Sequence, residues 1–136
     1  MENIYEELSY SARAARAVSY SPYSSVTVGA ALLGRSGKVY LGANIENASY
    51  SLTLCAERVA FFKAISEGER EFVAIAIAGG KVGEDVEGAF PPCGACRQVM
   101  AEFCAPDFKV IMVRDEDYSV HELSQLLPHG FSEKYL

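Results

Sequence analysis

The chain has 136 residues, of which 50% are hydrophobic and 22% charged, with a formal net charge of −6. This length and composition are typical of one folded domain, which we assign to residues 1–136. The acidic balance argues against nucleic acid as a partner, because phosphate backbones require clustered Lys and Arg. Apolar runs are too short to span a membrane and the N-terminus does not resemble a signal peptide, so we expect a cytoplasmic protein without a membrane partner.

Hydrophobic periodicity predicts the order helix, hairpin, helix, strand, helix, strand. The predicted segments are a helix at 3–18, strands at 27–33 and 38–45, a helix at 54–67, a strand at 72–78, a helix at 94–103, a strand at 109–113, an edge strand at 118–120 and a helical turn at 122–126. The strand at 72–78 is apolar on both faces, as expected for a strand that helices cover on both sides. The order indicates an α/β fold with one mixed five-stranded sheet and helices on both faces.

Three cysteines lie at the predicted starts of two helices. Cys55 begins one helix, and Cys93 and Cys96 begin another with the spacing Cys-x-x-Cys. Helix N-termini favour thiolate, and this spacing lets two sulfurs reach one ion. Three thiolates would hold one Zn²⁺ per subunit and leave its fourth position open, which is typical of catalytic zinc sites.

Two other interpretations of the cysteines remain. Cys-x-x-Cys alone could be a redox pair, although that function would not need Cys55. A structural zinc site would need a fourth ligand, for which Cys104, His121 and His129 are the candidates. Cys104 lies about 12 Å from Cys96 along the same predicted helix. The two histidines have no ligand-like spacing. We therefore favour three ligands and an open position.

Glu57 and Arg58 follow Cys55 directly along the chain. A carboxylate at Glu57 could accept and return a proton beside the open metal position. Alternatively, it is a first-turn glutamate that the helix dipole favours. Three thiolates exceed the charge of one divalent ion, so we infer that Arg58, rather than Arg97, donates hydrogen bonds to them. The alternative is that both arginines are solvated at the surface.

Cys-x-Glu at a helix start, followed by Pro-Cys-x-x-Cys, matches the zinc deaminase signature with Cys in place of His. Including these two motifs, the matching segments are Tyr20 to Ser24, Val28 to Leu33, Asn44 to Tyr50, Cys55 to Arg58, Pro92 to Gln98, Leu126 to Pro128, and Phe131. In this order they resemble the small homotetrameric zinc-dependent cytidine deaminases over nearly the whole chain. The resemblance implies a three-layer α-β-α sandwich, a nucleoside substrate and a homotetramer.

The resemblance also implies roles for individual residues. Asn44 and Glu46 would hydrogen-bond the ribose, and the backbone N–H of Ala56 would contact the pyrimidine carbonyl. Tyr50 and Phe131 would reach the pocket of a neighbouring subunit. Without the resemblance, Asn44 could simply close a strand, Glu46 could be solvated, and the two aromatic residues could be ordinary packing.

Val26 departs from the family pattern. Many family members carry Phe at this position, where it lines the base pocket. Val26 removes that aromatic face, so either another ring fills the space or base stacking is weaker.

The resulting hypothesis is hydrolytic deamination of cytidine and 2′-deoxycytidine to uridine and 2′-deoxyuridine plus ammonia, in pyrimidine salvage. A zinc-bound hydroxide would attack carbon 4 of the base while Glu57 shuttles protons.

Deamination of another small cytosine nucleoside, of the blasticidin type, is the nearest alternative. A polynucleotide deaminase fits the acidic chain less well. A non-enzymatic zinc-stabilised binding module is the alternative from a different class, and it would require a closed four-ligand site.

Overall fold

A five-stranded mixed sheet forms the centre of the protein, and its strand order is β2-β1-β3-β4-β5. A computed structural model describes residues 2–136. The strands are β1 (Val26–Gly34), β2 (Val39–Ala43), β3 (Phe72–Lys81), β4 (Lys109–Arg114) and β5 (Asp117–Glu122), and the helices are α1 (Glu2–Ala15), α2 (Ala56–Ser66), α3 (Gly94–Phe103) and α4 (Leu123–Leu126). β3 and β4 are parallel, whereas the other neighbouring strands are antiparallel. The predicted mixed five-stranded sheet is confirmed.

Element boundaries differ from the predictions by a few residues, for identifiable reasons. The helix predicted at 3–18 ends as an α-helix at Ala15 and continues as a 3₁₀ turn over Arg16–Val18. β2 ends at Ala43, and Ile45 instead forms isolated bridges with Tyr20 and Leu54. Because Leu54 is held in that bridge, α2 begins two residues later than predicted.

Helices cover both faces of the sheet, which gives the three layers. On one face α1 packs Leu8 and Ala12 against a cluster that includes Ala31 and Leu33 of β1. The intervening β1 residues Val28, Ala30 and Leu32 point to the other face, where α2, α3 and α4 pack; we call the buried cluster on this face the site-side core. The alternation follows from the two-residue period of a strand.

Gly42 fixes the position of α2 on the sheet. A Cβ atom at Gly42 would lie 2.3 Å from the carbonyl oxygen of Ala56 and 2.7 Å from the amide nitrogen of Ala60. Only a residue without a side chain allows the first turn of α2 to rest on the strand at this distance. The N-terminus of α2 is therefore held close to the last residues of β2.

The N-terminus of α3 lies at the same end of the sheet. α3 connects the parallel strands β3 and β4, so its first turn follows the carboxyl end of β3. In open α/β sheets, ligands bind at the carboxyl ends of the strands. Within residues 2–136, no helix is both long and apolar enough to cross a membrane.

Candidate metal centre and active site

The two helix starts bring three cysteine sulfurs together. Cys55 is the N-cap residue of α2, Cys93 is the N-cap residue of α3, and Cys96 lies in the first turn of α3. The Sγ atoms of Cys55 and Cys93 are 3.6 Å apart, those of Cys93 and Cys96 are 3.4 Å apart, and all three lie within 4.8 Å of one another. All three are free thiols rather than disulfide partners.

These sulfurs fit a tetrahedral zinc ion. Ligand sulfurs about 2.3 Å from zinc would be separated by about 3.8 Å, close to the distances between these thiols. In the described part of the chain, no His, Asp or Glu and no fourth cysteine joins the group. The donor set is therefore a three-cysteine cluster that can hold one zinc ion, without a fourth protein ligand to close the site.

The surroundings of Cys55 favour thiolate. A hydrogen bond from the Cys96 thiol, supported by hydrogen bonds from Arg58 and Cys93, lowers the pKa of Cys55 to about 5 although burial acts in the opposite direction. The hydrogen bond to Cys55, together with burial, raises the pKa of Cys96 above its usual range. One thiolate is thus already favoured among the three ligands.

Glu57 is buried beside this cluster, with 2% of its surface exposed, and its Oε1 atom has no hydrogen-bond partner. Burial, reinforced by the negative charge of Cys55, raises the pKa of Glu57 to about 7 although its own backbone N–H favours the charged form. Burying a carboxyl oxygen without a hydrogen-bond partner destabilises the folded protein, so its presence indicates a functional role. With a pKa near neutrality, it can both accept and donate a proton.

Arg58 contacts the metal centre, and Arg97 does not. The Nη2 atom of Arg58 lies 3.5 Å from Cys55 Sγ and 3.5 Å from the carbonyl oxygen of Thr53. The guanidinium of Arg97 instead donates to the carbonyl oxygens of Pro92, at 2.8 Å, and Leu126, at 2.7 Å. Arg97 therefore connects the start of α3 to α4 through hydrogen bonds.

Cys104 lies outside the cluster. It is the C-cap residue of α3, at the opposite end of the helix from Cys93, and it is partly buried as a free thiol. Burial raises the pKa of Cys104 to about 12. A protonated thiol at that distance is unsuited to be the fourth ligand of a structural zinc site.

Asn44 is buried directly after β2 and holds the start of β1. Its Oδ1 accepts hydrogen bonds from the backbone N–H of Val28, at 2.9 Å, and from the hydroxyl of Ser19, while its Nδ2 donates to the carbonyl oxygen of Val26, at 2.9 Å. These contacts use one of the two N–H groups of the amide. The role of Asn44 in holding this segment was not predicted from the sequence.

Glu46 is also buried rather than solvated, with 7% of its surface exposed. Its Oε1 accepts from the backbone N–H groups of Tyr23, at 2.9 Å, and Ser24, at 3.1 Å, and its Oε2 accepts from the Ser24 hydroxyl. These hydrogen bonds, with that of the Ser24 hydroxyl first, lower the pKa of Glu46. The carboxylate keeps unused lone pairs that could accept from a hydroxyl.

The other predicted site residues lie in different surroundings. Ala56 is fully buried in the first turn of α2, where backbone N–H groups lack helical partners. Val26 begins β1 and packs against the site-side core. Tyr50 and Phe131 are 60% and 55% exposed and contact Tyr23 and Tyr135 respectively, so neither is enclosed within the chain.

Comparison with known proteins agrees with this site. The zinc-binding region of cytidine and deoxycytidylate deaminases matches residues 3–112. A cytidine deaminase of Halalkalibacterium halodurans is 54% identical over 119 residues, which cover 87% of this chain and 86% of the relative. One from Sporosarcina psychrophila is 47% identical over 132 residues, covering 96% of this chain and 93% of the relative.

Among solved structures, a cytidine deaminase from Burkholderia pseudomallei superimposes with a TM-score of 0.84 at 46% identity, covering 92% of this chain and 97% of the other. The fold and the three-cysteine cluster define a zinc-binding α/β protein. The chain belongs to the cytidine and deoxycytidylate deaminase family. The family resemblance of the sequence is confirmed, and so is the zinc-binding character of the site.

Proposed function

We propose that this protein hydrolytically deaminates cytidine and 2′-deoxycytidine to the corresponding uridines and ammonia. The single observation that carries the proposal is the buried Glu57 carboxyl, which has a partnerless oxygen beside three cysteines able to hold zinc. The relatives named cytidine deaminase match nearly the whole chain and support the same reaction. The product would serve pyrimidine salvage in the cytoplasm.

Cys55, Cys93 and Cys96 would hold the zinc ion. When bound, the ion supplies Lewis acidity that brings the pKa of a water molecule toward neutrality. Glu57 takes a proton from the attacking water and delivers it to ring nitrogen 3 of the base. The same carboxyl then carries a proton to the departing amino group, which leaves as ammonia.

Arg58 would moderate the charge of the thiolates, because its guanidinium lies 3.5 Å from Cys55 Sγ. The backbone N–H of Ala56 would donate to the pyrimidine carbonyl at the helix start. Val26 would line the base pocket as an aliphatic wall. Ala56 and Val26 would thus contact the cytosine base, whereas Arg58 would act through the metal ligands.

Asn44 and Glu46 would bind the ribose with the hydrogen-bonding capacity that their internal contacts leave unused. Both are held rigidly, because each also accepts hydrogen bonds from the segment at residues 19–28. A pre-positioned polar pair suits a small, unsubstituted sugar better than a bulky aminoacyl nucleoside. We therefore favour cytidine over a blasticidin-type substrate.

The exposure of Tyr50 and Phe131 supports a homotetramer in which each reaches a neighbouring subunit. Large exposed aromatic residues are enriched where protein surfaces associate. Sedimentation velocity of the purified protein should give a mass about four times that of the chain. A monomeric sedimentation coefficient at assay concentration would contradict the tetramer.

The function is tested by zinc analysis and a substrate panel. Zinc-loaded protein should release ammonia from cytidine and 2′-deoxycytidine, with the accompanying change in ultraviolet absorbance, and should turn over blasticidin-type nucleosides poorly. Protein that holds one zinc per chain and deaminates neither nucleoside would disprove the assignment. On cobalt-substituted protein, a spectrum typical of four protein ligands would favour a non-enzymatic binding module.

A further inference from the structure

Phe90 places an aromatic ring on the site-side face of the sheet, against the same core cluster as Val26. A Cβ atom added to Gly79 would lie 2.4 Å from Cγ and 2.5 Å from Cδ2 of Phe90. The ring therefore lies directly over the Gly79 backbone, in space that any larger residue in β3 would fill.

The sheet register determines which face of the sheet the Phe90 ring covers. Gly79 pairs with Val28 across the antiparallel β1–β3 ladder, so the two positions share a face. Val26 lies on the same face, two residues from Val28 along β1. This is the face that α2 and α3 cover, because Val28 belongs to the site-side core.

Phe90 is also close to the metal ligands along the chain. It precedes Cys93 by three residues, and the intervening Pro91 and Pro92 restrict the backbone between the ring and the sulfur. Phe90, Val26 and Cys55 all pack against the site-side core, which includes Cys96. Phe90 itself is only partly buried.

We propose that Phe90 supplies the aromatic surface for the pyrimidine base that Val26 does not provide. The ring is fixed over Gly79 at the end of the sheet where the sulfurs of α2 and α3 meet. An aromatic face at this place would stack on a flat base and orient it toward Glu57. The proposal rests on the proposed deaminase function, and it makes Phe90 a determinant of base affinity.

Three variants separate stacking from packing. Phe90→Leu keeps apolar bulk over Gly79 without the ring, and Phe90→Tyr keeps the ring. Phe72→Leu is the matched control, because Phe72 packs against the same site-side core from the first residue of β3, at the opposite end of that strand. Zinc content and melting temperature are recorded for each protein.

Binding of uridine, the expected product, is measured by calorimetry, and KM and kcat are measured with cytidine. Phe90→Leu should raise the uridine Kd and the cytidine KM about 10-fold, a size typical of base stacking on an aromatic side chain, with a smaller change in kcat. Phe90→Tyr should stay within about threefold of the wild type. Phe72→Leu should lower the melting temperature without changing the uridine Kd.

A uridine Kd for Phe90→Leu that matches that of Phe72→Leu would overturn the proposal, as would equal losses in Phe90→Tyr and Phe90→Leu. The wild type distinguishes this failure from failure of the proposed function. A wild type that neither binds uridine nor deaminates cytidine would overturn both, whereas an active wild type with unchanged Phe90 variants would overturn only the role of Phe90.

Discussion

Two buried glutamates close to the same end of the sheet have opposite electrostatic surroundings. Glu57 has an oxygen without any partner, and its pKa is raised to about 7, chiefly by burial. Glu46 accepts hydrogen bonds from Tyr23 and Ser24, and its pKa is lowered. Burial alone therefore does not decide what a carboxylate does. The hydrogen bonds around it determine whether it stays charged or carries protons.

The contrast between the two carboxyls predicts that replacing Glu57 causes the largest loss of activity. Replacement by Gln keeps the size of the side chain and removes the proton carrier, so deamination of cytidine should fall by about 10²–10⁴-fold. Zinc content should stay at one per chain, because the three sulfurs are unchanged. Glu102→Gln, at an exposed position on α3, is the control and should be fully active. Full activity of Glu57→Gln would exclude the proton-shuttle role.

Glu57 should also have a measurable effect on the stability of the metal-free protein. Its raised pKa means that the folded chain retains a proton that the unfolded chain has released between about pH 4.5 and pH 7, so stability falls as pH rises through this window. At pH 8, Glu57→Gln should stabilise the metal-free protein by about 2–4 kcal/mol, whereas at pH 4 the two proteins should be nearly equal. Urea unfolding at both pH values measures this, and an equal difference at both would contradict it.

Arg58 should have a smaller effect, which acts through the metal. Its guanidinium donates to Cys55, and the Cys55 thiolate in turn raises the pKa of Arg58. Arg58→Met should weaken zinc binding by about 10–100-fold, as expected for loss of a hydrogen bond to a metal ligand. Competition with a chelator measures the affinity. Arg35→Met is the comparison, because Arg35 is exposed in a turn and pairs with Glu71, and it should keep wild-type zinc affinity.

The sequence predicted the elements of the fold because strand and helix periods are set by neighbouring residues. Cys93 and Cys96 lie within one helical turn, whereas Cys55 is 38 residues from Cys93. The three-cysteine site was predicted because the two cysteine motifs together match the zinc deaminase signature. The surroundings of Asn44 were not predictable in this way, because its partners Ser19 and Val28 are 25 and 16 residues distant along the chain. The position of Phe90 depends on the β1–β3 register, which only the folded sheet shows.

The smallest predicted effect is that of Glu46 on stability. Its pH dependence is opposite in sign to that of Glu57. Because the pKa of Glu46 is lowered on folding, its hydrogen bonds stabilise the protein above about pH 4.5, and this contribution is lost as pH falls through the folded-state pKa. Ser24→Ala removes the strongest of these hydrogen bonds and should lower the melting temperature at pH 7. The deficit should shrink below pH 4, where the carboxyl becomes protonated in the wild type as well. Ser51→Ala, at an exposed position, should show no such pH dependence. A deficit for Ser24→Ala that is constant from pH 3 to pH 7 would show that the hydroxyl contributes through packing and the hydrogen bond it accepts from the Val26 N–H, rather than by stabilising the charge of Glu46.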